Sequence, residues 1–303
     1  ASQRLIEDVE NGEDINTSLD KFERSTEVTE AEEASGTLGE IMSEIFNEVD
    51  GGKPIDKTLT GIPIVDECTN GLAKGELVTI GAKSGKGKSA LAIRMAVNMF
   101  RDGKKVLIVS REMSKKQIGE RILLAHSGVT KENYEKRTLS ETDWVRIVET
   151  TEAFNTDQII IDDKIATIPE IKQAVRKHKP DMLIVDYVQL LTPTNPRDSR
   201  ERQVADMSRE LKKMTSDFDM IVVQLTQLAE KGIGNYRPHG ESYPRESRAI
   251  YHDSNLVIYV HHVEEEKEIQ IAYNSTAVKE RMSLHQFEEM LKRFDDNDTR
   301  LME

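Results

Sequence analysis

The chain has 303 residues, 37% hydrophobic and 32% charged, with one cysteine, Cys68; that is enough for one α/β core with appendages and excludes an intrachain disulfide. Its net charge of −13 is unevenly spread: the first 50 residues hold 15 Asp+Glu against 3 Lys+Arg, and the remainder 40 against 39. The body of the chain is therefore near neutral and able to meet a polyanion through local basic loops, and no apolar run approaches the roughly 18 residues that a membrane-spanning helix needs.

Residues 1–34 read as an acidic arm with one weak helix around Leu19–Phe22 and a solvated tract from Glu27 to Glu33. Ala1-Ser2-Gln3-Arg4 lacks a secretory leader pattern and begins without Met, as in a processed chain or a fragment. With one cysteine, a reducing, cytoplasmic setting is expected. Next, Leu38, Ile41, Met42, Ile45 and Phe46 recur at helical spacing, with Val49 one turn on. This predicts an amphipathic helix ended by Gly51-Gly52, packed on its own core or on a neighbouring subunit. Residues 1–59 are thus taken as arm and linker helix, and 60–303 as the main domain.

From Gly61 the elements alternate. Apolar runs at Leu77–Ile80, Val106–Val109, Ile159–Ile161, Met182–Val185, Ile221–Leu225 and Leu256–Val260 predict buried strands. Helical stretches at Ala90–Phe100, Lys115–Ala125, Pro169–His178 and Arg202–Phe218 separate most of them. The pattern predicts an α/β fold, a mainly parallel twisted sheet with helices on both faces. Glu264–Glu268 reads as a hairpin end, Met282–Phe294 as an amphipathic helix and Asp295–Asp298 as a polar turn.

Leu77 to Ala90 runs strand, glycine-containing loop, helix start, as a phosphate-binding loop requires. Small residues let the backbone N–H groups of Lys83, Ser84, Gly85, Lys86 and Gly87 turn inward around a phosphate, and the helix N-terminus adds its dipole. Lys88 is placed to reach β- and γ-phosphates and Ser89 to bind Mg²⁺. Counted back from Gly87, the motif's first glycine falls at Ala82.

Met182 to Asp186 is an apolar strand ending in a carboxylate, which presents Asp186 at the carboxyl edge of the sheet, where α/β ligands bind. Asp186 there is a Mg²⁺ ligand beside Ser89, or else a turn cap. Glu112 follows the second strand and is either a general base toward an attacking water or a helix-capping acid. Gln227 ends another strand on the same edge, where a neutral amide can sense a γ-phosphate.

These residues resemble one family, the DnaB-type replicative helicases of the RecA-like P-loop NTPase group. Asp186-Tyr187-Val188-Gln189-Leu190 looks like its Walker B segment. Ser110-Arg111-Glu112-Met113 is similar to its Ser-x-Glu-Met segment bearing the catalytic Glu, and Leu225-Thr226-Gln227-Leu228 to its sensor strand end. Arg245-Glu246-Ser247-Arg248-Ala249-Ile250, with Asp253 beyond, resembles its Arg-Glu-Ser-Gly-Ala-Ile segment; Ala82 also fits. The match covers roughly Thr60–Val260.

The resemblance implies ATP with Mg²⁺, six subunits in a ring around single-stranded DNA, 5′-to-3′ movement, and primase and helicase-loader partners. Its DNA-contacting segments map to Thr192–Arg202, with Arg197, Arg200 and Arg202, and to Ala229–Arg248, with Lys231, Arg237, Arg245, Glu246 and Arg248. Phosphate contacts there would give affinity without sequence preference; the alternative is loops that are simply solvated. Arg248 stands where the family has Gly, which leaves two readings open: a close backbone contact that its side chain supports, or a side-chain phosphate contact in its place. The family's globular N-terminal domain has no counterpart here, as in a fragment or a short phage-type relative. The family's last core strand carries a Lys-x-Arg pair serving the neighbour's active site. No match is assigned near Thr299–Glu303, where that strand would begin, so the domain reads as lacking its last core strand and weak ATP hydrolysis is expected. Two other readings stay open: a RecA- or RadA-like recombination ATPase, separable by filaments rather than rings, and a non-catalytic assembly module, separable by sedimentation.

Overall fold

A computed structural model of the chain describes residues 36–52, 57–228, 250–263, 266–273 and 276–278, with side chains described as far as residue 260. Contacts divide the chain into two compact units, Ala1–Ile55 and Asp56–Glu303.

In the first unit, α1 spans Leu38–Asp50. Thr37 caps it through a reciprocal capping box, its hydroxyl accepting from Glu40 N while Glu40 Oε2 accepts from Thr37 N at 2.7 Å, which satisfies two donors that a helix start leaves unpaired. The left-handed residue after the helix is Gly52 (φ 63°); Gly51 keeps right-handed backbone. Every residue of α1 is exposed, including Leu38, Met42, Phe46 and Val49. The readings at Leu19–Phe22 and Glu27–Glu33 lie outside the described residues.

The second unit is an eight-stranded sheet with a two-stranded annex, β1 (Lys57–Thr58) with β2 (Leu72–Ala73), around the short α2 (Pro63–Thr69). The main-sheet strands are β3 (Leu77–Ala82), β4 (Val106–Ser110), β5 (Ile159–Asp162), β6 (Met182–Asp186), β7 (Ile221–Gln227), β8 (Leu256–Val263), β9 (Glu266–Tyr273) and β10 (Thr276–Val278). Their order is β10-β9-β8-β3-β7-β6-β4-β5. The six strands from β8 to β5 run parallel, and β9 pairs antiparallel with β8 and with β10. Pairing of β8 with β9 runs out to Val263↔Glu266, which puts Glu266–Glu268 of the acidic stretch at the start of β9; positions 264 and 265 lie outside the described residues.

The six parallel strands start at the residues the apolar runs predicted. Each continues one to three residues further, to Ala82, Ser110, Asp162, Asp186, Gln227 and Val263. Apolar patterning stops at the first small or polar residue, whereas the hydrogen-bond ladder carries on, and the extra residues of β3, β4, β6 and β7 share one edge of the sheet.

Alternation along the strands builds two cores. On one face, Val78 and Ile80 of β3, Ile108 of β4, Ile184 of β6 and Val223 of β7 pack with Leu91, Met95 and Met99 of α3 (Lys88–Arg101) and Ile118 of α4 (Lys115–Ser127). On the other, Leu77, Leu107, Leu183 and Val222 pack with Ile171 and Val175 of α7 (Ile168–His178) and Val204, Leu211 and Met214 of α8 (Arg200–Asp217). Each such side chain stabilises the fold by about 1.5–3 kcal/mol.

Two further helices, α5 (Lys131–Lys136) and α6 (Glu141–Ala153), join α4 to β5; the apolar pattern did not predict them. Their signals are Thr130, capping Asn133 N, and a Ser140/Asp143 capping box. Residues 282–298 and the segment 229–249, with Lys231, Arg237, Arg245, Glu246 and Arg248, lie outside the described residues.

Candidate nucleotide site

Strand register assembles the site. Ala82 pairs with Gln227, and Ser110 with Asp186, so the ends of β3, β4, β6 and β7 share one edge. β3 and β6 are not neighbours, because β7 lies between them. The gap is bridged by α3, which starts at the tip of β3 and packs Leu91 and Met95 with Met182 and Ile184 of β6.

The turn between β3 and α3 depends on glycine at two left-handed positions, Gly85 (φ 71°) and Gly87 (φ 100°), where side chains are strained. Gly87 is the N-cap of α3 and makes no side-chain cap. The first N–H groups of α3 therefore lack a protein cap and face the loop, an arrangement that suits an anion. Gly81, one residue before Ala82, is also required: a Cβ there would lie 3.0 Å from the Tyr259 ring and 3.4 Å from Thr226 Cγ2.

Lys88 and Ser89 are buried at 5% and 8% exposure. The Lys88 ammonium donates to Glu112 Oε2 in an ion pair, lies 3.4 Å from Asp186 Oδ1, and sits 4.6 Å from the centroid of the Tyr187 ring. One lysine thus joins the ends of β3, β4 and β6. Glu112 does not cap a helix, since Ser114 caps α4. Backbone bonds hold the segment that carries it: Arg111 N donates to Asp186 O at 2.6 Å and Met113 N to Ser110 Oγ at 3.0 Å.

Burial is the main force on Asp186, pushing its carboxyl above the usual carboxylate range. The Ser89 hydroxyl and the Lys88 ammonium oppose this, and the charge of Glu112 reinforces it. Among the described residues its buried Oδ1 accepts no hydrogen bond and has the Lys88 ammonium at 3.4 Å beside it. An unsatisfied carboxylate oxygen beside a serine hydroxyl is the donor chemistry of a small, hard divalent cation that completes its shell with phosphate and water. Among the described residues no group of three or more His, Cys, Asp or Glu forms a protein-only metal cage.

The sequence reading assigned no individual role to Tyr187 or Gln189. Gln189 Nε2 donates to Thr226 Oγ1 at 2.7 Å and reaches Gln227 O at 3.4 Å, while Gln227 N approaches Gln189 Oε1 at 3.5 Å. These bonds tie the turn after β6 to the end of β7; their signal was the family motif itself.

The segment 192–202 is exposed apart from its partly buried Pro193 and Asp198 and folds on its own side chains. Asn195 Nδ2 donates to Asp198 Oδ2 at 2.9 Å, and Gln203 Nε2 donates to Asp198 O at 2.9 Å. Ser199 caps α8. Arg197 is exposed, and Arg202 lies 3.9 Å from both Asp198 and Asp206. Arg200 turns back to the protein, donating to the Gln189 carbonyl and, at 3.2 Å, to Gln203 Oε1.

One sequence feature was overlooked. Lys279-Glu280-Arg281 follows β10 directly in the chain and has Lys-x-Arg spacing; its placement lies outside the described residues.

A parallel sheet in this order, a phosphate loop at the tip of β3 and acids at the tips of β4 and β6 define a RecA-like P-loop protein. Residues 58–296 match the family described as DnaB-like helicase C terminal domain, and the chain belongs to that family. The replicative DNA helicase DnaB of Leifsonia xyli subsp. xyli is 30% identical over 241 residues, covering 74% of this chain and 51% of that protein. That of Geobacillus stearothermophilus is 25% identical over 265 residues, covering 82% and 58%. The chain thus spans about half the length of these relatives. A solved structure of an ATPase domain superposes with a TM-score of 0.74 at 25% identity, over 82% of this chain and 95% of that one. The fold is shared with a DnaB-like replicative helicase, described with its interactions with primase, at a TM-score of 0.72 and 24% identity over 93% and 72%. No helix among the described residues is long and apolar enough to cross a membrane.

Proposed function

We propose that this chain is the ATP-hydrolysing motor of a replicative DNA helicase, moving 5′ to 3′ on single-stranded DNA within a hexameric ring in a bacterial or phage-infected cytoplasm. The observation that carries the reading is the meeting of Lys88, Ser89, Glu112 and Asp186 at one sheet edge. Backbone N–H groups of the loop from Lys83 to Ser89 hold the phosphates of ATP, the Lys86 N–H being engaged with the Lys83 carbonyl at 3.3 Å. Lys88 exchanges its carboxylate partners for phosphate oxygens, which leaves Glu112 to take the proton of the attacking water. Gln227, at the register position beside Ala82, reports the γ-phosphate to the segment that follows. Ser89 and Asp186 would hold Mg²⁺, which supplies charge neutralisation on the phosphates when bound.

The remaining parts of the reading concern partners. The exposed apolar stripe of α1 suits docking on a second copy, and a ring is the assembly that the family uses. Arg197 and Arg202, with Arg245, Glu246 and Arg248 of the second loop, face DNA. Primase and a helicase loader are the expected protein partners. The expectation of weak turnover rested on the absence of a Lys-x-Arg pair; Lys279 and Arg281 withdraw that ground, and they are the candidates to serve a neighbour's site.

Steady-state ATP hydrolysis with and without single-stranded DNA tests the proposal. Turnover that rises with DNA and disappears in Lys88→Ala supports it; DNA-independent phosphate release in both proteins defeats it. Membership in the DnaB-like family favours the helicase over a recombination ATPase, and closed rings rather than open filaments on DNA would be its image in electron microscopy.

A further inference from the structure

The acids and the lysine of the site explain how nucleotide is held, but not how its state reaches the DNA-facing segment. Three elements converge on one side chain near the site. The turn after β6, three residues beyond Asp186, carries Gln189, which is partly buried. Its amide donates to Thr226 Oγ1 at 2.7 Å and bridges both backbone groups of Gln227, at 3.4 and 3.5 Å. Its own carbonyl accepts from the Arg200 guanidinium, at the first residue of α8. Arg200 also donates to Gln203, and Gln203 holds the 192–202 segment through the carbonyls of Pro196 and Asp198.

We propose that Gln189 is a positioning residue that couples the γ-phosphate-sensing end of β7 to the DNA-facing segment before α8, and that Arg200 is its relay and not mainly a phosphate ligand. This rests on the motor reading and specifies how its site is regulated. Thr226 is 2% exposed, so its hydroxyl must be satisfied within the protein, and Gln189 is the partner that satisfies it. A shift of Gln227 on loss of the γ-phosphate then has two outcomes for the Gln189 amide: it follows β7, or it leaves Thr226 and the Gln227 backbone unpaired. Leaving a buried polar group unpaired is costly, so the amide follows, and the Gln189 backbone, whose carbonyl accepts from Arg200, carries Arg200 and the start of α8 with it. The link is short, continuous and built of hydrogen bonds with discrete arrangements, as such coupling requires.

The test is the affinity of the full chain for fluorescein-labelled oligo-dT, by anisotropy, with Mg²⁺ and either AMP-PNP or ADP. The ratio of the two dissociation constants is the coupling, commonly about 5- to 150-fold. Thr226→Val keeps the β-branched shape of the strand residue but removes the acceptor; it is expected to bring the ratio within about twofold of unity. Gln189→Leu should do the same, and the double variant no more than Gln189→Leu alone, because the bond that Thr226→Val removes is one of those Gln189→Leu already removes. Thr226→Ser, which restores the hydroxyl, should recover the wild-type ratio. Wild-type ratios in Thr226→Val and Gln189→Leu overturn the proposal. So does equal weakening in both nucleotide states, the mark of a merely structural role, or a Thr226→Ser that behaves like Thr226→Val. A wild-type ratio of one removes the motor reading as well, which separates the two failures.

Discussion

Lys88 Nζ lies 3.4 Å from Asp186 Oδ1 while donating to Glu112, so one buried cation neutralises the acids of two strands that are not adjacent to its own. The lysine occupies the ground between the acids, where bound phosphate would otherwise balance its charge. Nucleotide must therefore compete with Glu112 for Lys88. Glu112→Gln weakens that competitor and removes the proposed base. Nucleotide Kd should stay equal or fall, measured by titration with a fluorescent ATP analogue, while turnover falls by about 10²–10⁴-fold. A variant with near wild-type turnover would show that another group activates the water.

Gly81 supports the phosphate loop by its lack of a side chain. A Cβ would press on the Tyr259 ring at 3.0 Å and on Thr226 at 3.4 Å, between β7 and β8 at the tip of β3. Gly81→Ala is expected to destabilise by about 1–3 kcal/mol, the usual cost of an overpacked core, visible as a lower Tm. An unchanged melt would mean that β8 yields without cost.

The sheet was legible because each strand is a continuous apolar run, and the phosphate loop because its chemistry needs contiguous residues. Sheet order was not: nothing in the run Ile221–Leu225 says that β7 lies between β3 and β6. That insertion makes α3 the bridge to Asp186. The pairing of Lys88 with Glu112 was likewise hidden, since it depends on the register Ser110↔Asp186. Helix α6 escaped because three of its four large apolar residues face outward, with Trp144 57%, Val145 55% and Val148 51% exposed and only Ile147 partly buried, so they form no core stripe. Strand β9 escaped because Glu266-Lys267-Glu268 masks the alternation that begins at Ile269.

Asp253 gives a pH signature away from the nucleotide. Burial raises its carboxyl above the usual range, against the pull of Arg209, the Ser208 hydroxyl, His252 and Lys212, and its Oδ2 is buried without a hydrogen-bond partner. A carboxyl whose pKa is higher in the folded than in the unfolded state binds more protons when folded. Its contribution to stability is present below the unfolded value and is lost as pH rises through the folded one. Asp253→Asn should therefore raise Tm at neutral pH and have little effect in mild acid, below about pH 4. Thermal melts at both values check the sign, and a lower Tm at neutral pH would refute it.

In the segment 192–202, Arg197 and Arg200 should separate by salt dependence. Arg197 is exposed, and among the described residues only its backbone N–H is engaged, with Asn195 Oδ1 at 3.3 Å. Arg197→Ala is expected to weaken oligo-dT binding in every nucleotide state and to reduce the slope of log K against log salt by about one. Arg200, bonded to Gln189 and Gln203, should alter the slope less and the nucleotide dependence more. Identical salt slopes for both variants would remove the distinction.

The stripe on α1 separates assembly from folding. Phe46 is 67% exposed and Val49 74%, so neither supports the core of this chain. Phe46→Ser should therefore change the stability of the isolated subunit by no more than about 0.5 kcal/mol, as at other exposed sites. Where a second copy covers the stripe, the same substitution places a hydroxyl in an apolar contact and forfeits about 1.5–3 kcal/mol of burial at each interface. At each such interface that loss weakens assembly by about 10- to 150-fold. Sedimentation velocity with Mg²⁺ and AMP-PNP, beside a thermal melt, reads both quantities. Assembly lost with Tm kept assigns the helix to a neighbour, whereas a fall in the Tm of the monomer would place it on its own domain.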